Sequence, residues 1–221
     1  GVPFRRTSAR TSFRSWRPVI GSMFQSEMTS PNVPARSFAR ASAPSAASSM
    51  RVKPIWVSRF LMMRRIVAKG GIGYDSPAPF DPSTSLGEAL LTPTRIYVKS
   101  CLAAVRAGAV KAMAHITGGG LIENVPRVLP DGVVADIDAA TWELPPVFRW
   151  LAAEGGVAAQ EMARTFNCGI GMVVVCAADK AAESARLLRG GGEKVYAIGR
   201  LRPRQGDEPQ SQVRGNEGWR R

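Results

Sequence analysis

The chain of 221 residues carries a net charge of +13 with 45% hydrophobic residues, enough for one sizeable domain plus tails. The charge is uneven: from Gly1 to Tyr74, 13 Lys or Arg face a single acid, Glu27, whereas from Asp75 onward 17 face 16 acids, which argues against a nucleic-acid binder charged over its whole body. Three cysteines without a CxxC pair exclude a disulfide framework and a zinc site and suit a reducing cytoplasm, and the absence of an apolar run of about 18 residues speaks against a membrane helix.

In chain order, residues 1–58 are rich in Ser, Arg, Ala and Pro and have no sustained periodicity, so a disordered basic segment is expected there. Its composition is similar to that of an organelle transit peptide. Order is expected from Arg59: "RFLMMRRIVAKGG" sets Phe60, Met63 and Val67 on one helical face, and Gly70 and Gly71 end it. A proline-punctuated loop leads to a short helix over Leu86–Leu91. "RIYVK", Arg95–Lys99, reads as a strand, followed by a helix over Ser100–Gly108 with Ser100 as cap. "AVKAMAHIT" is short enough for a buried strand, and after Gly118–Gly120 a helix runs through "LIENVPRVL". "GVVADID" alternates as a strand, Pro145-Pro146 opens a helix, and "AAQEMARTF" is helical. "GIGMVVVCAA" reads as a buried strand, Asp179 caps a helix through "DKAAESARLLRGGG", and "KVYAIGRL" is the last strand. These elements imply an α/β (α+β) fold over 59–205, a single mixed-sheet layer with packed helices, followed by a polar, mobile tail over 206–221.

The one histidine, His115, stands before the glycine triplet Gly118, Gly119 and Gly120. Glycines between a strand and a helix let successive N–H groups face an anion, most simply a phosphate, with Thr117 adding a hydroxyl. The alternative is a tight turn with a core-facing histidine. A second cluster, "TFNCGIGMVVV", places Gly169 and Gly171 where another backbone or a ligand comes close, with Asn167 offering a donor and an acceptor. Cys168 is not expected to be a nucleophile, because no second histidine exists and no lysine lies in the motif to lower its pKa. The pattern assigns no catalytic acid or base and no metal ligand.

The stretches "LGEALLTPTRIYVKS", "AMAHITGGGLIENVPRVLP", "PPVFRWL" and "EMARTFNCGIGMVVV", in this order from about Arg59 to Leu201, resemble the C-terminal domain of phosphoribosylformylglycinamidine cyclo-ligase, or aminoimidazole ribonucleotide synthetase. The resemblance implies ATP-dependent closure of an imidazole ring in purine biosynthesis, from formylglycinamidine ribonucleotide to aminoimidazole ribonucleotide. In that family ATP activates an oxygen of the substrate, and ring-nitrogen attack expels phosphate. The resemblance also implies ATP and Mg2+ as cofactors, a ribose-phosphate purine precursor as ligand, a homodimer and a cytoplasmic enzyme. His115, Thr117, Gly118–Gly120, Asn124, Asn167, Gly169 and Gly171 are then the substrate- or phosphate-binding candidates.

The family's N-terminal domain supplies most of the ATP and magnesium site and the dimer contact, and the resemblance does not reach it. The His-Ser-Asn-Gly stretch of the family, due before the first helix, reads "KPIWVSRFLMM" here, and magnesium-bound ATP needs carboxylates that the front third lacks. The composition of 1–58 is that of a GC-rich gene read in the wrong frame. The expectation is therefore a cyclo-ligase C-terminal fragment, inactive alone, behind a frameshifted or mis-assembled front. A subunit that complements a separate N-terminal chain is a variant of this reading. The alternative is a basic-tailed nucleic-acid-binding protein with a repurposed α/β module, although the aromatics among the front arginines form no known RNA-binding motif.

Overall fold

The computed structural model describes residues 55–220, with side chains over 61–219, and the backbone of two short strands further forward. These strands are β1 (Pro18–Val19) and β2 (Met23–Gln25). At these five residues, and at 55–58, where the first helix has already begun, the expectation of an unstructured segment over 1–58 is corrected; for the rest of 1–58 it lies outside the described residues. The first helix, α1 (Ile55–Gly70), buries Ile66 and Val67 and ends at Gly71, which has a left-handed φ of 64°. A two-stranded ribbon, β3 (Pro77–Ala78) and β4 (Asp81–Ser85), precedes α2 (Leu86–Leu90). Ser85 and Glu88 close a reciprocal capping box on α2.

Then come α3 (Val98–Arg106), β5 (Ala112–His115), α4 (Gly120–Asn124), a 3-10 turn over Pro126–Val128, and β6 (Val133–Asp138). They are followed by α5 (Pro146–Gly155), α6 (Ala159–Thr165), β7 (Ile170–Ala177) and α7 (Ala181–Gly190). The chain ends with β8 (Lys194–Tyr196), β9 (Gly199–Pro203) and β10 (Ser211–Arg214). The α/β class is as expected, with the sheet divided among small units. β7 is central to the first: β5 pairs with it antiparallel, as do β1 and β2, and β8 continues beyond β2. A second sheet has the order β10-β6-β9, with β10 parallel and β9 antiparallel to β6.

Both faces of β7 are covered, which is why its sequence is a continuous β-branched run. Val173 and Val175 enter the main core with Ile137, Leu151 and Met162, whereas Val174 faces a smaller core of Tyr97, Cys101, Ala104 and Leu188 formed with α3 and α7. Each fully buried aliphatic side chain contributes about 1.5–3 kcal/mol.

Five local expectations are corrected. Arg95–Lys99 is not a strand: Ile96 and Val98 are 83% and 68% exposed, only Tyr97 turns inward, and the backbone enters α3 at Val98. Ser100 therefore lies inside α3, where its hydroxyl donates to Tyr97 O at 3.0 Å and pairs with Glu193 at 2.7 Å. Asp179 falls in a 3-10 turn and Lys180 holds the cap position of α7 without a side-chain capping bond, its ammonium pairing instead with Glu183 at 2.8 Å. "KVYAIGRL" splits into β8 and β9, which belong to different sheets. Gly199 permits the crossing, because a Cβ there would come 1.9 Å from the Asp136 carbonyl oxygen. The tail beyond 206 packs: β10 pairs with β6, and Ser211, Val213, Asn216 and Trp219 are buried. Arg202 locks this return by donating to Asp136 at 2.8 Å and Glu208 at 2.6 Å.

Candidate functional site

The glycine triplet is shaped by its packing. Gly119 (φ 102°) and Gly120 (φ 54°) both adopt left-handed backbone, where a Cβ is unfavourable. Gly120 N donates to Thr117 O and Glu123 N to Gly119 O, each at 3.0 Å. The buried Asn124 amide donates to the carbonyls of Gly120 at 2.9 Å, Gly118 at 3.1 Å and Thr117 at 3.4 Å, so it fixes the turn from within. A Cβ on Gly120 would lie 2.0 Å from Ala163 O and 2.7 Å from Phe166 O. The start of α4 thus rests directly on the backbone at the end of α6.

That contact brings the second cluster to the same place, because Asn167 follows Phe166. The Asn167 side-chain oxygen accepts from Gly169 N at 3.1 Å, and its carbonyl accepts from Ile170 N at 2.9 Å. Cys168 holds a left-handed φ of 50°, and its carbonyl accepts the Trp142 indole N–H at 2.9 Å. Its thiol lies 3.4 Å from Met162 O, and burial pushes its pKa far up. This is a structural cysteine, and the expectation that it is no nucleophile agrees with its burial. Gly171 receives the Tyr97 phenol: a Cβ there would be 1.9 Å from the hydroxyl oxygen. Ile116 N donates to Gly171 O at 2.9 Å, which ties the strand before the triplet to the same point.

Thr117, Gly118–Gly120, Asn124, Asn167 and Gly169 therefore gather around the end of α6. His115 takes the other side. Alternation along β5 sends Ala114 and Ile116 into the main core, whereas Met113 and His115 face α3. The imidazole is exposed, stands edge-on to the Tyr97 ring with centroids 6.0 Å apart, and lines a groove with Met113 and Met172. The structure places it with Tyr97 and Gly171 rather than in the turn that follows.

Arg164 was not legible as a candidate. It projects from α6 with its guanidinium 3.9 Å from Glu123, whose carboxylate stands beside Gly119. The same guanidinium stands 3.8 Å from Glu161, so one cation serves two carboxylates beside the turn, and it would have to leave both to meet an incoming anion. The signal was long-range, since the packing of α4 on α6 brings 123 to 164. No cluster of three or more His, Cys, Asp or Glu suited to a metal exists among the described residues.

Small antiparallel and mixed sheets under helices, with two glycine turns meeting at one helix end, define an α/β domain built to present backbone and small polar groups at one edge. Residues 60–211 match the family described as AIR synthase related protein, C-terminal domain, and the chain belongs to that family. Among solved structures it is similar to thiamine-monophosphate kinase from Stenotrophomonas maltophilia K279a, at 18% identity and a TM-score of 0.47. The match covers 72% of this chain and 48% of that one, so it spans about half the length of that protein. Among the described residues no helix is long and apolar enough to cross a membrane.

Proposed function

We propose that the chain contributes the ribose-phosphate side of a cyclo-ligase that closes the imidazole ring of aminoimidazole ribonucleotide from formylglycinamidine ribonucleotide in purine biosynthesis. The observation that best supports this reading is the meeting of "HITGGGLIEN" and "ARTFNCGIG" at the end of α6, through Gly120 on Ala163 and Phe166 and through Ile116 on Gly171. Two stretches that carry the resemblance thus form one surface. In this reading the Thr117 hydroxyl and the Asn167 amide hydrogen-bond the phosphate, and Arg164 leaves Glu123 and Glu161 to pair with it. ATP supplies the activation of the substrate oxygen, and the groups that hold ATP and Mg2+ lie outside the described residues. A cytoplasmic location belongs to the same proposal, whereas the family's homodimer contact lies in the N-terminal domain that the resemblance does not reach.

Alone, the chain is expected to form no aminoimidazole ribonucleotide from formylglycinamidine ribonucleotide and magnesium-ATP, because removing a required charge clamp costs several kcal/mol of transition-state stabilisation. Binding of that ribonucleotide, followed by calorimetry and competed by ribose 5-phosphate, is expected to remain. ATP-dependent product formation would contradict the division of labour, and absence of ribonucleotide binding would contradict the site.

A further inference from the structure

The face of α3 is apolar, exposed and basic at its rim. Val98, Leu102 and Val105 fall within about 60° of one another on the helical wheel and are 68%, 40% and 42% exposed. Ile96, 83% exposed, extends the patch, and behind it Met113, Met172 and His115 form the floor of a groove of about 530 Å3. No carboxylate lines that groove. Lys99 and Arg106 lie together at about 80–100° on the same wheel, along one flank of the apolar stripe, and neither is in an ion pair among the described residues. From Ala89 to Ile122 the sequence contains four cations, Arg95, Lys99, Arg106 and Lys111, and no acid. The one carboxylate that reaches this region, Glu193, is buried and consumed by Arg95 at 2.8 Å and Ser100 at 2.7 Å.

This local bias stands out because the chain from Asp75 onward is nearly neutral. It excludes two occupants on charge: the front third of this chain, with its 13 cations and one acid, and a second copy presenting the same basic face. Apart from the His115 imidazole the floor is aliphatic and thioether, and the Tyr97 ring is buried, so it offers one small ring rather than a platform for successive stacked bases.

We infer that the α3 face is a docking groove for a polypeptide helix whose apolar stripe is flanked by acids. Apolar side chains spaced i, i+3, i+4 and i+7 on the partner would fill the groove between α3 and β5, while its carboxylates meet Lys99 and Arg106. The inference is independent of the function proposed above, since none of the groove's residues is given a role in it.

The test is fluorescence anisotropy with the full chain at physiological salt. The probe is a fluorescein-labelled helical peptide of about 18 residues, Leu at the stripe positions and Glu on both flanks, and its control carries Lys for every Glu. The Glu peptide is expected to bind about tenfold tighter or more than the Lys peptide. Leu102→Asp is expected to reduce that binding by about tenfold with an unchanged circular dichroism spectrum, and Lys99→Glu with Arg106→Glu to reverse the preference between the peptides. No binding, or Glu-peptide binding that both variants leave intact, overturns the inference, the latter because the basic front third would then be the attractor. Sedimentation showing a dimer that Leu102→Asp dissociates would make a second copy the occupant and overturn it too. So would binding of a uridine 20-mer that is lost in the charge-reversed variant but kept in Leu102→Asp.

Discussion

Gly120→Ala probes the junction on which the candidate site is built. The added methyl would lie 2.0 Å from Ala163 O, 2.7 Å from Phe166 O and 2.8 Å from the Ala163 carbonyl carbon. Clearing these atoms requires α4 and the end of α6 to part by roughly 1 Å, an overpacking cost of about 1–3 kcal/mol. The left-handed φ of 54° adds about 1–2 kcal/mol for a residue with a Cβ. Gly108→Ala is the control, since Gly108 has a φ of 67° and nothing within 4 Å of its would-be Cβ. Both variants lower the entropy of the unfolded chain by the same amount, so that effect cancels between them. Urea unfolding should show Gly108→Ala losing about 1–2 kcal/mol and Gly120→Ala about 2–5 kcal/mol, with unchanged m-values. Equal losses in the two variants would refute the backbone contact between the triplet turn and α6.

Two other expectations follow from the same geometry. Arg202 beside Glu208 holds that carboxyl down to about 2, so the pair stabilises the fold above the usual carboxylate range and is lost as pH falls toward about 2. The gap in urea midpoint between the protein and Glu208→Gln should therefore be full near pH 6 and close as pH drops from about 4.5 to about 2; a gap independent of pH would contradict the pairing. Cys168 should resist a thiol-disulfide reagent at about pH 8 in the folded protein and react on unfolding, with peptide mass mapping as readout, because burial disfavours its thiolate. Labelling in the folded state would refute its structural role.

The elements read correctly from sequence are those whose burial follows a simple period. The continuous run of β7 and the Pro-Pro start of α5 each report an environment that their own residues determine. Arg95–Lys99 misled because its alternation is real at the side chains, with Tyr97 inward and Ile96 and Val98 outward, while it forms no ladder with any strand among the described residues. β10 was hidden because "SQVR" is polar: only Val213 is apolar there, and Ser211 is buried by donating to Leu121 O at 3.0 Å. In the candidate site, the glycines and Asn124 were legible as a turn. That Asn124 spends its amide on the turn, and that Arg164 stands beside it, depends on α4 meeting α6, a contact between distant residues. The position of His115 was within reach, since alternation with Ala114 and Ile116 places it on the α3 side.

The central claim is that the turns at Thr117–Gly120 and Asn167–Gly169 form one phosphate half-site, and an NMR titration of the labelled chain with ribose 5-phosphate tests it most directly. Saturating shifts at Thr117 to Leu121 and at Asn167 to Gly169 together are expected, with an affinity on the order of millimolar that weakens in Arg164→Ala. Shifts confined to the arginines of the front third, or at one turn without the other, would contradict it.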